Sequence, residues 1–537
     1  MKYIKSRDRF VSENKDVIKD DALDILANNS DGQDPAVENT LKKLDEVEPG
    51  EKVVTRFAPS PTGFLHIGGI RTALYNYLFA KKHGGTFLVR IEDTDQKRFV
   101  GEAEEYIKNA LEWCGITPDH SPWQGGPDAP YKQSERDYSK ETNFLLDNVL
   151  AYYAFDTESD LAKARQGNPN FAYDAKSRMS MRNSLALSKE EVDKLLADKA
   201  PYVIRFKVPE NKTVTFTDIV RGEVTFNTNQ TDDKVLVKSN GIPTYHMANV
   251  CDDHNMGITH VIRGEEWLPS TPLHILLYDA FGWDKPKFAH LPLLLNPDGK
   301  GKLSKRKALS YGFPVFPMGG VGEDDKGKMV QYKGFKDEGY EPDALINFLL
   351  LLGWNPGDNR ELMTMAEMIS DFSLSHVHKA GARFDIEKAK WFNKEYVSKV
   401  RPNEELLSSV DFGDSNFSDE TKMRILNMAK ERSHFKKDMQ AVVDLFTKPV
   451  NVSDADKAKI APEFKTVFSD FINRDIDWKP EVVKQAIYDI CTEKGIKMGK
   501  VMPGLRTALV NVPGPDLITT MDILGKEESI NRIKSVL

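Results

Sequence analysis

Residues 53–91 leave the backbone few choices. An apolar run at 53–57 enters a loop carrying Pro59, Pro61 and Gly63, a helical stripe of Ile70, Leu74 and Leu78 follows and stops at Gly84-Gly85, and a second apolar run spans 86–91. Strand, loop, helix and strand in that order predict the opening unit of a doubly wound α/β sheet. The loop also has a chemical leaning. Gly68 and Gly69 fall at or near the helix start, where unpaired N–H groups and the dipole favour a phosphate, and His66 can donate a hydrogen bond to the same group.

The common phosphate loops do not fit. No G-x-G-x-x-G is present, and Gly301-Lys302 is followed by Leu303 rather than by Ser or Thr, so neither a dinucleotide fingerprint nor a P-loop is written here. Two strings fit a different loop chemistry: Arg56-Phe-Ala58-Pro59-Ser60-Pro-Thr-Gly-Phe-Leu-His66-Ile-Gly68-Gly69 and, far downstream, Lys302-Leu-Ser304-Lys305-Arg306. They resemble the "HIGH" and "KMSKS" loops of class I aminoacyl-tRNA synthetases, in which lysines neutralise the triphosphate as AMP is transferred. Gly69 stands where that class often has a second histidine, and with Arg-x-Ala-Pro-Ser-Pro-Thr-Gly this resembles glutamyl-tRNA synthetases of the bacterial type. The resemblance spans roughly 52–537, tightly at 53–95, 243–310 and 339–357.

Length and charge agree with such a chain. At 537 residues it exceeds one core, and three or more domains are expected. No run of 18 apolar residues and no signal-peptide stretch occurs, so a cytoplasmic protein without membrane spans is expected. Cys114, Cys251 and Cys491 are too scattered for a disulfide framework or a zinc site. The formal charge of −8 is uneven: residues 1–50 hold 8 Lys+Arg against 12 Asp+Glu, whereas 302–337 hold 8 against 4. RNA binding depends on local basic surface, so the total does not exclude tRNA.

The chain divides on turn signals and on the resemblance into six stretches. Residues 1–51 read as a polar extension, a flexible appendage or an over-long reading frame. Residues 52–143 and 244–300 read as the two halves of a Rossmann-like catalytic fold. Between them, 144–243 carries β-rich segments at 202–208 and 214–222 and matches the connective insertion that binds the tRNA acceptor end. Some relatives hold zinc there through cysteines. This chain has Ala151-Tyr-Tyr-Ala154-Phe-Asp156 and Tyr173-Asp-Ala-Lys-Ser177 instead, which predicts no structural zinc. Residues 301–388 hold the second loop and a stem-contact region, with a Gly/Lys-bearing insertion around 314–336 and a helix within 339–354. From 389 to 537 helical spacing dominates, as in Val483, Ile487, Ile490 and Cys491, and an all-α anticodon-binding region is expected.

The third informative block is Tyr245-His-Met-Ala-Asn249-Val-Cys251-Asp252-Asp253-His254 followed by Val261-Ile-Arg263-Gly-Glu-Glu266-Trp267. Four contiguous ligand types in a strand or turn cannot converge on one ion, so no metal is assigned. Glutamate presents two carboxylates and one ammonium, and an arginine fork suits a carboxylate. Arg56 and Arg263 are the candidates for the carboxylates and Glu92 for the ammonium, with Ser60, Tyr245 and Asn249 as neutral partners. Taken singly, each of these also reads as a surface charge, a helix cap or core. The resemblance adds Ala58 and Trp267 to the glutamate site. It gives Pro59, His66, Gly68, Gly69, Glu266, Leu294, Lys302, Ser304, Lys305 and Arg306 to ATP, with His66, Lys302 and Lys305 catalytic. It implies glutamyl-AMP formation with ATP and Mg²⁺, then transfer to tRNA-Glu, by a monomer. Charging of tRNA-Gln as well, and a glutaminyl-tRNA synthetase, are the alternatives; the loop strings and the helical C-terminal pattern disfavour the latter.

Overall fold

The computed structural model describes residues 47, 50–95, 101–168, 171–304, 308, 310–323 and 328–537. The expectation for residues 1–51, save Val47, Gly50 and Glu51, and those for Lys305 and Arg306 lie outside the described residues. The chain forms two compact units: one runs to Glu338 and takes back Leu345–Ile386, and the other is made of Gly339–Ala344 and Glu387–Leu537.

The first unit opens as the hydrophobic pattern predicts. β1 (Val54–Phe57), α1 (Ile67–Lys82) and β2 (Thr86–Val89) follow in order, and the two strands pair in parallel with Val54 opposite Thr86. Ile70, Leu74 and Leu78 are completely buried, each contributing on the order of 1.5–3 kcal/mol. The helix begins where His66 caps it, accepting the Gly69 N–H on Nδ1 at 3.3 Å. It turns back at Gly85, where a Cβ would run into the Val53 carbonyl oxygen. Buried polar groups on α1 tie it across the unit: Asn76 donates to the Ile262 carbonyl at 3.0 Å and Tyr75 to that of Leu350 at 2.8 Å.

α2 (Ala103–Trp113) leads towards the segment at 144–243, which folds as β3 (Ala151–Ala154), β4 (Val203–Phe206), β5 (Thr213–Asp218), β6 (Gly222–Asn227) and β7 (Val235–Val237). Next come α3 (Tyr245–Asn255), β8 (His260–Gly264), α4 (Thr271–Phe281) and β9 (Lys287–Leu291). The segment read as one insertion divides between two sheets. β3, β4 and β7 form a sheet of their own, whereas the β5–β6 hairpin extends the main sheet, ordered β2-β1-β8-β9-β5-β6. Alternation in Val214, Phe216 and Asp218 gives a one-faced strand, but its partner is set at long range, with Asp218 opposite Phe288 on β9. One core then crosses both: Val54, Val214, Val261 and Phe288 of the main sheet share a cluster with Ile204, Phe206 and Leu236 of the three-stranded one.

Beyond the main sheet, β10 (Leu294–Leu295) pairs with a short strand at Ala382–Arg383. The Gly-rich stretch forms a hairpin of β11 (Gly320–Glu323) and β12 (Met329–Tyr332). α5 (Pro342–Leu351) occupies the predicted helix, with proline in its first position, where the missing N–H costs nothing.

The second unit is helical throughout, from Asn403–Ser408 to Leu517–Lys534, with no strand among its described residues. The stripe of Val483, Ile487, Ile490 and Cys491 is buried on Pro480–Glu493 and packs with Val467, Phe468, Leu505 and Leu509.

Candidate active site

The C-terminal ends of β1 and β8 and the start of α1 open onto one cavity of about 610 Å³, the size expected of a small-molecule site. It brings together Arg56, Ala58, Pro59, Ser60, His66, Gly68, Gly69, Glu92, Tyr245, Asn249, Arg263, Glu266, Trp267, Leu294, Lys302 and Ser304. The two arginines anchor its deep end, and the glycine loop and Lys302 line the rest.

Around Arg56 the charges are buried and paired. Arg56 donates to Asp253 from Nε and Nη2, each at 3.1 Å. Arg90, completely buried, reaches Asp253 at 2.7 Å and Glu92 at 3.1 Å. Burial disfavours ionised Asp253, yet Arg56 and Arg90 hold its carboxyl below the usual range. At Glu92 burial wins: the carboxyl is pushed up despite Arg90 and Arg56, and Asn249 donates to it at 3.2 Å.

Asp253 is delivered by α3, where the sequence suggested a strand or turn. On a helix, Tyr245, Asn249 and Asp253 share a face at four-residue spacing, while Asp252 points elsewhere, to Gln133 at 2.8 Å, Tyr138 at 2.9 Å and Arg136 at 2.7 Å. Cys251 lies in the apolar core, and His254 stacks on Trp283 at 3.8 Å. The four contiguous ligand types thus diverge. Among the described residues no group of three or more His, Cys, Asp or Glu is gathered for a metal. In the stretch expected to carry no zinc, Tyr173 donates to Asp156 at 2.9 Å and Tyr152 to Asp233 at 2.6 Å.

Arg263 at the end of β8 is held on every side. Nη1 donates to Tyr245 at 3.0 Å, Nη2 to Thr271 at 2.9 Å, and Nε to His290 at 3.1 Å. Burial, against the pull of Arg263, pushes the Tyr245 phenol up to about 12, so it stays a neutral hydroxyl. The half-exposed Trp267 ring lies over Tyr245 at 4.3 Å and walls the pocket.

At the nucleotide end, His66 accepts on Nδ1, which leaves the ring proton on Nε2. The Gly69 N–H, expected to meet a phosphate, is taken by His66 through both Nδ1 and the carbonyl oxygen, the latter at 2.8 Å. Glycine at position 68 leaves room for the His66 ring, since a Cβ there would lie 2.9 Å from it and displace it. Lys302 pairs with Leu295 across a bridge, and its ammonium lies 2.7 Å from Glu266. Burial notwithstanding, this bond holds the Glu266 carboxyl below its usual range.

Sequence reasoning missed Arg90, Asp253, His290 and Asp218. Arg90 did leave a signal, since two charges spaced by two, Arg90 and Glu92, interrupt an otherwise buried strand run.

Comparison with known proteins agrees with this geometry. Residues 52–313 and 324–391 match the family model for the catalytic domain of class I tRNA synthetases (E and Q), and 386–537 match that for an anticodon-binding domain. The skipped residues, 314–323, lie in the expected insertion. A glutamate–tRNA ligase from Phocaeicola vulgatus is 48% identical over 499 residues, 90% of this chain and 98% of its own. One from Flavobacterium johnsoniae is 46% identical over 502 residues, 91% and 99% respectively. The crystal structure of a glutamate tRNA ligase from Elizabethkingia meningosepticum in complex with its amino acid superposes with a TM-score of 0.82 at 49% identity, covering 90% of this chain and 99% of that one. Fold, paired loops and likeness across nine-tenths of the chain lead to one assignment: this chain belongs to the glutamate–tRNA ligases, class I aminoacyl-tRNA synthetases.

Proposed function

We propose that the cavity joins L-glutamate to ATP, giving glutamyl-AMP and pyrophosphate, and that the terminal adenosine of tRNA-Glu then takes the glutamyl group. The supporting observation is the division of the cavity: two buried arginines and one buried carboxylate at its deep end suit a diacid with one ammonium, and a capped helix start with a lysine at its other end suits a triphosphate.

Arg263 and Arg56 take the two carboxylates, Glu92 the ammonium, and Ser60, Tyr245 and Asn249 the remaining hydrogen bonds, with Ala58 and Trp267 as walls. The α-carboxylate oxygen attacks the ATP α-phosphorus and pyrophosphate leaves. No protein nucleophile is needed, so the rate comes from positioning and from charge placed where the phosphates gain it. His66 donates from Nε2, Gly68 lets the backbone approach, and Lys302 exchanges Glu266 for the phosphates, joined by Lys305 and Arg306. Pro59, Leu294 and Ser304 line the nucleotide. Mg²⁺ when bound neutralises the phosphates. Among the described residues no three carboxylate, His or Cys groups gather for an ion, and the phosphates and water would hold it.

The segment at 144–243 is assigned to the acceptor end and 389–537 to the anticodon; the enzyme acts as a monomer in the cytoplasm. Charging assays with glutamate and glutamine against purified tRNA-Glu and tRNA-Gln test the reading. Transfer of glutamate to tRNA-Glu is expected, glutamylation of tRNA-Gln as well would mark the non-discriminating alternative, and transfer of glutamine would overturn the reading. Light scattering at working concentration checks the monomer.

A further inference from the structure

Behind Arg263 lies a chain of buried polar groups that the steps above do not use. Arg263 Nε is 3.1 Å from His290 Nε2, His290 Nδ1 is 2.6 Å from Asp218 Oδ2, and both His290 and Asp218 are completely buried. The protons can be arranged in one way. A guanidinium only donates, so His290 Nε2 accepts, the ring proton sits on Nδ1, and Asp218 receives it. The other carboxylate oxygen, Oδ1, accepts from the backbone N–H groups of Val220 at 3.0 Å, Arg221 at 2.8 Å and His290 at 3.3 Å. Those three bonds fix the plane of the carboxylate and keep one oxygen facing His290.

We propose that Asp218 and His290 are positioning residues for the reaction: by fixing the His290 tautomer they hold the Arg263 fork in the orientation that receives a substrate carboxylate. This rests on the reading of Arg263 as a carboxylate ligand. Packing alone does not account for the arrangement, because an apolar side chain in place of His290 would leave the Arg263 Nε–H buried without an acceptor. Thr271 supports the same fork, accepting from Nη2 while its hydroxyl lies 3.1 Å from His290 Nε2. Asp218 sits on β5, so the segment at 144–243 shapes the glutamate pocket from behind.

Asp218→Asn tests this, since it keeps the shape and reverses the chemistry. Three backbone donors hold the amide oxygen where Oδ1 was, so the NH₂ faces His290 Nδ1, which must accept. The ring proton then moves to Nε2 and two donors meet at Arg263. In tRNA-Glu charging assays the KM for glutamate should rise at least about tenfold, while the KM for ATP stays near wild type. His290→Gln, which can offer an oxygen near the Nε2 position, should raise the glutamate KM less. A packing role predicts the reverse order, because Asn is the isosteric change.

A glutamate KM within about twofold of wild type in Asp218→Asn, a larger effect in His290→Gln, or parallel rises in both KM values overturns the proposal. Should Asp218→Asn not fold, ¹⁵N spectra of histidine-labelled wild type decide, with the His290 signals identified by their loss in His290→Gln: an unprotonated Nε2 supports the proposal and a protonated one overturns it. Arg263→Ala separates the layers. If it leaves the glutamate KM unchanged, the carboxylate reading fails and this proposal with it. If it raises the KM and Asp218→Asn does not, this proposal alone fails.

Discussion

Glu92 is buried between Arg90 and Asn249, and its carboxyl is raised because burial outweighs its cationic neighbours. Only the ionised form attracts a substrate ammonium. As pH falls through the raised value, Glu92 takes a proton, and the KM for glutamate should climb. Glu92→Gln should raise that KM on the alkaline side of this value and flatten its pH profile. For folding, the raised value means the native state holds the proton more firmly than the unfolded chain. That contribution is therefore present at acid pH and lost as pH rises through the folded value. At the other end, His66→Ala or Lys302→Ala should slow adenylate formation by roughly 10²–10³-fold, as loss of one preorganised donor does. tRNA affinity in a filter-binding assay should stay unchanged. Arg56 and Arg263 were legible because each sits in a string with its own context. Asp253 and His290 were not, because their meaning comes from partners that only the folded sheet brings close.

Individual elements were legible where the pattern is local. α1 is a periodic stripe bounded by a cap and a glycine turn, and its position followed from the chain alone. α3 was not read as a helix, since Asp252 and Asp253 interrupt its apolar spacing and are satisfied by Arg56, Arg90, Arg136 and Tyr138 from elsewhere. The β11–β12 hairpin was visible only as an insertion. In the segment leading to it, the Val315 carbonyl accepts from the Ile67 N–H at 2.9 Å, and Phe64, stacked on Tyr106 at 4.5 Å, covers Gly320 and Gly322. A Cβ at Gly320 would lie 2.7 Å from the Phe64 ring. Gly320→Val should therefore shift the loop that precedes His66, raising the KM for ATP several-fold while leaving that for glutamate near wild type in the same assay.

At the scale of the molecule, two units with separate cores predict two thermal transitions. Ile490 is completely buried in the helical core, so Ile490→Ala should lower one transition by about 2–5 kcal/mol of stability and leave the other in place by calorimetry. The second unit's long segment begins at Glu387, beside the reading of 389–537, whereas its short piece, Gly339–Ala344, leaves no turn or composition signal of its own. The β5–β6 hairpin also limits how this chain can be shortened. Trimming 144–243 as a detachable module would strip β9 of one of its two neighbours and lay bare a row of unpaired amides and carbonyls along the sheet, a template for other chains to join. A minimal version can lose the three-stranded sheet only if residues 213–227 are spliced back in.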